Sequence, residues 1–168
     1  MDRPIFYKAE RFFPNKEYEE FSKILSRNEI VTFDFLCRNI ENEGIDYTEY
    51  LADCNYGVLD WKVLLIIPLE SDEQIIACFK NPTESHEFHY LDSRFEFCGY
   101  DLSNDDVFIS AITHCDGGFA NALPYESLNK YGLIDNHQKA IYCSNFLKMS
   151  YPDEPHAYCE VFELWRML

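Results

Sequence analysis

The sequence predicts an α+β fold in which a mostly antiparallel β-sheet packs against helices from the N-terminal part and one C-terminal helix. Three observations support this prediction. Helical periodicity dominates the first part of the chain, strand-like apolar runs follow from Trp61, and a further helical pattern precedes an apolar C-terminal run. The chain has 168 residues and no internal repeat or flexible linker, so 1–168 is expected to form a single domain.

Three helices are predicted in the N-terminal part. Asn15 is a suitable N-cap for a first helix that ends near Asn28. Apolar residues at helical spacing predict a second helix from Thr32 to Gly44, where the glycine suits the position just after a helix end. A short third helix is expected over Ile45–Cys54.

From Trp61 onward the pattern changes to that of strands. The aliphatic run Lys62–Ile67, ended by Pro68, predicts a buried strand. The acidic and polar segment Ser103–Asp106 separates two apolar runs and predicts a hairpin connection. The remaining strands in this part are predicted over Ile75–Phe79, Glu87–Leu91, Phe95–Leu102 and Val107–Thr113.

The C-terminal part predicts one helix and one strand. Asp135 and Gln138 have the spacing of a capping box, which predicts a helix over Asp135–Met149. Its apolar arc consists of Ala140, Cys143, Phe146 and Leu147. The final run, His156–Arg166, is apolar on both faces of a strand. A strand of this kind is expected in the middle of the sheet, where both faces are covered.

The charge is strongly negative. Thirty acidic residues against fourteen basic ones give a net charge of −16. The segments Glu41–Asp60 and Asn81–Asn129 together carry −14 of it. Nucleic acid and anionic membrane are disfavoured as partners because their phosphates would meet a surface of the same sign. A basic protein partner is favoured, since opposite charge accelerates association.

Targeting signals and cysteine usage point to the cytoplasm. The N-terminus lacks a positively charged segment followed by an apolar run, and the longest apolar run, Val63–Leu69, is too short to span a bilayer. The seven cysteines are widely spaced and form no C-x-x-C pair. We therefore expect a reduced, cytoplasmic protein in which the thiols serve as small apolar residues.

A catalytic role is not the favoured interpretation. Cys115 follows His114, but adjacent residues of a strand point to opposite faces, so this histidine is a poor base for the thiol. Neighbouring carboxylates also raise the pKa of a thiol. The acidic pair Asp105 and Asp106 lies in a predicted turn, where carboxylates are ordinarily solvated. A small cytosolic enzyme that uses Cys115 or this turn stays as an alternative.

A metal or cofactor site is also not expected. His86-x-x-His89 offers two imidazoles, but the closely spaced ligand pairs of structural zinc sites are missing. Gly117-Gly118 is not followed by the lysine and hydroxyl residue of a phosphate-binding loop. The sequence thus predicts no catalytic residue, no metal ligand and no cofactor.

The acids of the predicted turns and strand ends are the candidates for contact with a basic partner. Turn residues are exposed in most folds, and the two acidic segments named above carry most of the net negative charge. The predicted partner-binding residues are Asp72, Glu73, Asp101, Asp105, Asp106 and Asp116.

The part of the chain from about Phe95 onward resembles a known family. The residues that carry the resemblance are Phe97-Cys98-Gly99-Tyr100-Asp101-Leu102, Ile109 to Phe119, Leu128 to Ile134, and Glu154-Pro155-His156-Ala157-Tyr158-Cys159. They are similar to bacterial immunity proteins of the contact-dependent growth inhibition type. His114 departs from the pattern, because asparagine is more usual there.

The resemblance implies a small cytoplasmic protein that binds one copy of the toxic C-terminal domain delivered by a sister cell, commonly a basic nuclease. The immunity protein would occlude the nucleic-acid-binding or active site of that domain and do no chemistry itself. A third hypothesis is an acidic mimic of nucleic acid, which would bind several unrelated DNA-binding proteins.

Overall fold

The computed structural model describes residues 3–10, 57–66, 68–69, 71, 73–104, 109–114 and 118–168. The three helices predicted in the N-terminal part lie outside the described residues. None of the helices in the described part of the chain has the length and apolar character needed to cross a membrane.

The described residues form one antiparallel sheet. Its strands are β1 (Ile5–Glu10), β2 (Glu73–Lys80), β3 (Phe95–Asn104), β4 (Ile109–Ser110) and β5 (Glu160–Met167). The strand order is β1-β2-β5-β3-β4, and each neighbouring pair is antiparallel. β5 therefore lies in the middle of the sheet, as its two-sided apolar sequence predicted.

In the described part of the chain, three α-helices accompany the sheet: α1 (Ala111–His114), α2 (Gly118–Ala122) and α3 (His137–Ser150). The fold is α+β, as predicted. In α3 the buried side includes Ala140, Cys143 and Leu147, which confirms the predicted apolar arc at these positions. Asn136 is the N-cap, and its side chain accepts a hydrogen bond from the Lys139 N–H. The predicted cap at Asp135 is wrong, since its carboxylate pairs with the Lys139 ammonium at 3.2 Å instead.

The strand predicted over Lys62–Ile67 is wrong. Residues Trp61–Leu65 form a 3₁₀ helix that begins at Asp60, whose carboxylate accepts a hydrogen bond from the Lys62 N–H. Only Trp61 in this helix is buried, and Ile66 beyond it is 78% exposed. Short aliphatic runs do not distinguish strand from helix, and the capping carboxylate decides in favour of the helix here.

One further strand prediction is wrong, and another is confirmed only at Ile109–Ser110, which pairs with β3. The segment Glu87–Leu91 contributes to a 3₁₀ turn at His86–Phe88 rather than to a strand. Within Val107–Thr113, only Ile109–Ser110 is a described strand, and the chain then enters α1. The Ser110 hydroxyl accepts a hydrogen bond from the Ile112 N–H, which is the interaction of a helix-capping serine.

The core consists of two clusters. The larger one joins the central strands to α3 and includes Cys78, Cys98, Cys143 and Cys159. Each of these thiols is buried, as predicted for the four cysteines that the structure describes. Burial raises the pKa of the Cys143 thiol to about 11. The smaller cluster surrounds Trp61 and Phe95 at the β1 side of the sheet.

Candidate functional site

The segment Asn81–Leu91, which follows β2, packs over one face of the three central strands. Residues that lie opposite each other in antiparallel register share a face of the sheet. The pairing of β2 and β3 with β5 therefore places two rows of side chains beneath the segment. The first row is Phe79, Glu163 and Tyr100, and the second is Ala77, Trp165 and Phe97.

A β-bulge in β3 brings two aromatic rings to this face. The register with β5 shifts between Phe97 and Gly99, so Cys98 is the additional residue and Phe97 and Tyr100 share a face. Their ring centroids are 5.3 Å apart. Gly99 has φ +142°, and a Cβ at this position would lie 2.6 Å from Leu133 Cβ. Glycine is required here because both the backbone conformation and the available space exclude a side chain.

The two histidines of His86-x-x-His89 cover this face. They lie on the 3₁₀ turn, where residues three apart lie on the same side. His86 stacks on Phe97 with a centroid distance of 3.6 Å and an interplanar angle of 3°. His89 stacks on Phe79 at 4.3 Å and 11°. The spacing that suggested a metal site places both imidazoles against the sheet.

The Tyr100 hydroxyl is one polar group of the sheet that contacts the segment. It accepts a hydrogen bond from the His86 N–H at 2.9 Å and lies 3.3 Å from His86 Nδ1. The Tyr100 side chain is fully buried. Burial raises the pKa of its hydroxyl well above the ordinary value, the hydrogen bond from His86 opposes part of this, and the charge of Glu163 raises it further.

The Glu163 carboxylate is another polar group of the sheet that contacts the segment. Its Oε1 accepts hydrogen bonds from His89 Nδ1 at 2.8 Å and from Trp165 Nε1 at 2.7 Å. The His89 side chain is 5% exposed and that of Glu163 is fully buried. The second oxygen, Oε2, has no hydrogen-bond partner among the described residues. Burial of a carboxylate is costly unless donors replace water, and here His89 and Trp165 supply those donors.

The charges of Asp101 and Glu163 also affect the pKa of the Cys78 thiol. Burial raises the pKa of Cys78 well above its ordinary value, and the charges of Asp101 and Glu163 add to the effect. Because the thiolate is the nucleophilic form, Cys78 is unsuited to covalent catalysis.

A cleft of about 370 Å³ lies between the segment and the start of α3. His86 and His137 contribute to its wall, and His137 Nε2 lies 2.9 Å from the Pro82 carbonyl oxygen, a contact that joins α3 to the segment. We use the name cleft face for the exposed residues that line it and carry charge or an aromatic ring: Glu84, Glu87, Phe88 and Asp135.

The cleft face combines negative charge with exposed aromatic surface. The described residues that line the cleft include no lysine or arginine. Phe88 is 66% exposed, and Tyr90, two residues further on, is 90% exposed. Large aromatic side chains in the open beside carboxylates are typical of surfaces that bind proteins, because the rings bury much area on contact and the acids select a basic partner.

Of the predicted partner-binding residues, the structure describes Glu73 and Asp101. Glu73, at the start of β2, forms an ion pair with Lys8 at 2.9 Å. Asp72, Asp105, Asp106 and Asp116 lie outside the described residues, as does Cys115.

The prediction that Asp101 contacts a partner is wrong, because its side chain is fully buried. The carboxylate accepts hydrogen bonds from the Ser110 hydroxyl at 2.5 Å and from the Leu102 N–H at 2.7 Å. It thereby joins β3 to the start of α1. A carboxylate near a turn is ordinarily solvated, whereas two donors hold the Asp101 carboxylate inside the protein.

Sequence reasoning missed the role of Glu163 and Tyr100. Their strands contain other polar residues, such as Asp101 in β3 and Glu160 in β5, so the sequence does not mark these two side chains as buried. The cleft face was also missed, although Glu84 precedes the two histidines and Glu87 lies between them in the sequence. In the described part of the chain, no three histidine, cysteine or acidic side chains are grouped so that they could hold a metal ion.

Comparison of the chain with protein-family models, with curated proteins and with solved structures gave no match.

Proposed function

We propose that this chain is an immunity protein, which binds and neutralises the toxic C-terminal domain of a contact-dependent growth inhibition effector in the cytoplasm. The observation that carries the proposal is the cleft face, where three carboxylates and the exposed Phe88 ring line a cleft on a protein of net charge −16. The sequence resemblance from about Phe95 onward points to the same function.

Electrostatics favours a basic nuclease as the partner. A nuclease presents a positive cleft to hold phosphate, and an acidic protein can occupy that cleft and exclude the substrate. Charge of opposite sign chiefly increases the association rate, and salt reduces this increase. Such an inhibitor needs no chemistry of its own.

The exposed aromatic side chains supply the short-range part of the interaction. Phe88 lies on the cleft face, and Tyr90 is almost completely exposed close to it in the sequence. Aromatic anchors of this kind dominate the binding energy of many interfaces, while the surrounding charges set orientation and specificity.

The test uses the purified product of the neighbouring reading frame, in a catalytically inactive form. We expect a 1:1 complex whose association slows as salt rises, and inhibition of the active form. Replacement of Glu84 and Glu87 by lysine should slow association by roughly tenfold or more at low salt.

The matched control is Asp153→Lys with Glu154→Lys. It changes the net charge by the same amount, but these exposed residues lie beyond the other end of α3. That helix has 14 residues, which corresponds to roughly 20 Å at about 1.5 Å per residue. Equal effects of the two double variants would contradict a role for the cleft face. Absence of both binding and inhibition by the wild-type chain would reject the proposed function, and binding to several unrelated DNA-binding proteins would favour the nucleic-acid mimic.

A further inference from the structure

The segment Asn81–Leu91 is attached to the sheet mainly through side chains. Among the described residues, its backbone-to-backbone hydrogen bonds to the strands occur only at Asn81, whose N–H donates to the Val161 carbonyl at 2.7 Å. Beyond that point the contacts include the stacked rings of His86 and His89 and their hydrogen bonds to Tyr100 and Glu163, and Leu91 packs against the smaller core cluster.

The inner and outer sides of the segment carry different kinds of residues. His86 and His89 face the sheet, three residues apart on one 3₁₀ turn. Glu84, Glu87 and Phe88 are exposed on the cleft face. A change at His89, which is not among the residues that line the cleft, can therefore alter the shape of the cleft face without removing any group that lines it.

We infer that His89 and Glu163 are positioning residues, which hold the cleft face in its binding shape before a partner arrives. The inference rests on the proposed function, because it assigns the cleft face to the partner. Its physical basis is preorganisation: an ordered segment loses less conformational freedom on binding than a mobile one. When only a fraction of the molecules has the competent shape, the apparent Kd rises in inverse proportion to that fraction.

The Glu163 carboxylate makes the positioning specific. A buried carboxylate keeps a strong hydrogen bond only with a donor in the correct place, and His89 Nδ1 lies 2.8 Å from Oε1. Stacking on Phe79 fixes the plane of the same imidazole. Together these contacts allow His89 one orientation, and through it they determine the path of Glu87 and Phe88, the two residues that precede it.

The first experiment measures backbone amide hydrogen exchange in the free protein. The amides of His86, Phe88 and His89 are suitable probes, since they donate to the Tyr100 hydroxyl, the Ser85 carbonyl and the His86 carbonyl, respectively. The reference amides are those of Ala140 and Phe6, which donate to the Asn136 and Val58 carbonyls and report on α3 and β1. In His89→Leu we expect the probe amides to exchange roughly tenfold faster or more, with a much smaller change in the reference amides.

A conservative variant separates positioning from simple loss of a ring. In His89→Asn the side-chain amide nitrogen takes the place of Nδ1 and can still donate to Glu163. We expect this variant to restore most of the protection. If His89→Leu leaves the probe amides protected, or if probe and reference amides accelerate together, the inference is wrong and the pair has only a structural role. If His89→Leu does not fold, Phe97→Leu removes the ring beneath His86 without leaving a carboxylate unpaired, and the same criteria apply.

The second experiment measures binding to the product of the neighbouring reading frame. His89→Leu should weaken binding by roughly tenfold or more, and His89→Asn should recover most of the loss. Unchanged affinity in a variant whose probe amides have lost protection would overturn the inference, while the proposed function would stand. Failure of the wild-type chain to bind would instead reject the proposed function, and the exchange experiment would still decide whether His89 orders the segment.

Discussion

Helix α3 and the segment Asn81–Leu91 both pack against the sheet, but different forces hold them. α3 buries Ala140, Cys143 and Leu147, and its attachment is mainly apolar. The segment places two imidazoles against the sheet, where they stack on aromatic rings and bond to Tyr100 and Glu163. Apolar packing tolerates small shifts, whereas hydrogen bonds to buried groups require one geometry. The helix therefore mainly stabilises the fold, and the segment is suited to hold a surface in a defined shape.

The largest expected effect on stability is at α3. Leu147 is fully buried, so Leu147→Ala should lower the free energy of unfolding by about 2–5 kcal/mol. Urea unfolding followed by tryptophan fluorescence measures the change. Met149→Ala is the control in the same helix, because Met149 is 83% exposed. Comparable losses in the two variants would contradict the assignment of α3 to the core.

An intermediate effect is expected beneath the segment. Tyr100→Phe keeps the ring but removes the hydroxyl that accepts the His86 N–H, so it should lower the free energy of unfolding by about 1–3 kcal/mol. Protection of the His86 amide should fall more than that of Ala140. Tyr142→Phe removes an exposed hydroxyl on α3 and serves as the control. A uniform loss of protection across the chain would mean that the hydroxyl supports the whole fold rather than the segment.

The smallest effect is expected just after the segment, at the turn that leads into β3. The hydrogen bonds from Arg94 lower the pKa of Asp92 from 3.8 to about 2. Since the pKa in the folded state is below that of the unfolded chain, the stabilising contribution is present above pH 3.8 and is lost as the pH falls to about 2. It is small because the pair is exposed and screened by salt.

The measurement for this prediction is the urea midpoint from pH 5 to pH 2, in roughly 0.01–0.1 M salt. The difference between the wild-type chain and Asp92→Asn should shrink as the pH falls, and Asp153→Asn controls for the removal of one exposed acid. A difference that is constant with pH would show that the ion pair with Arg94 does not contribute.

Much of the fold was predictable where one face of an element is apolar. β2, β3, β5 and α3 were each predicted close to their observed positions, because burial imposes a period on the sequence. The failures at Trp61–Leu65 and His86–Phe88 are both 3₁₀ helices. These elements are too short to show a period, and local capping and stacking contacts determine them.

The site was less predictable than the fold. The negative charge and the His86-x-x-His89 spacing were visible in the sequence, but the spacing does not show that the two imidazoles cover a face of the sheet. Its actual use depends on Phe79 and Phe97, which come from two different strands. Asp101 illustrates the same difficulty, because its burial depends on the Ser110 hydroxyl.

By itself, the sequence determined the fold class, the central position of β5 and the negative charge of the surface. These properties follow from composition and from local periodicity, which each segment carries independently of its neighbours. Only the tertiary structure decided that the two histidines cover Glu163 and Tyr100, and that the acids beside them form a cleft face with Asp135. The reason is that burial of a polar side chain depends on donors and rings from distant segments, and the register around the bulge at Gly99 brings them together.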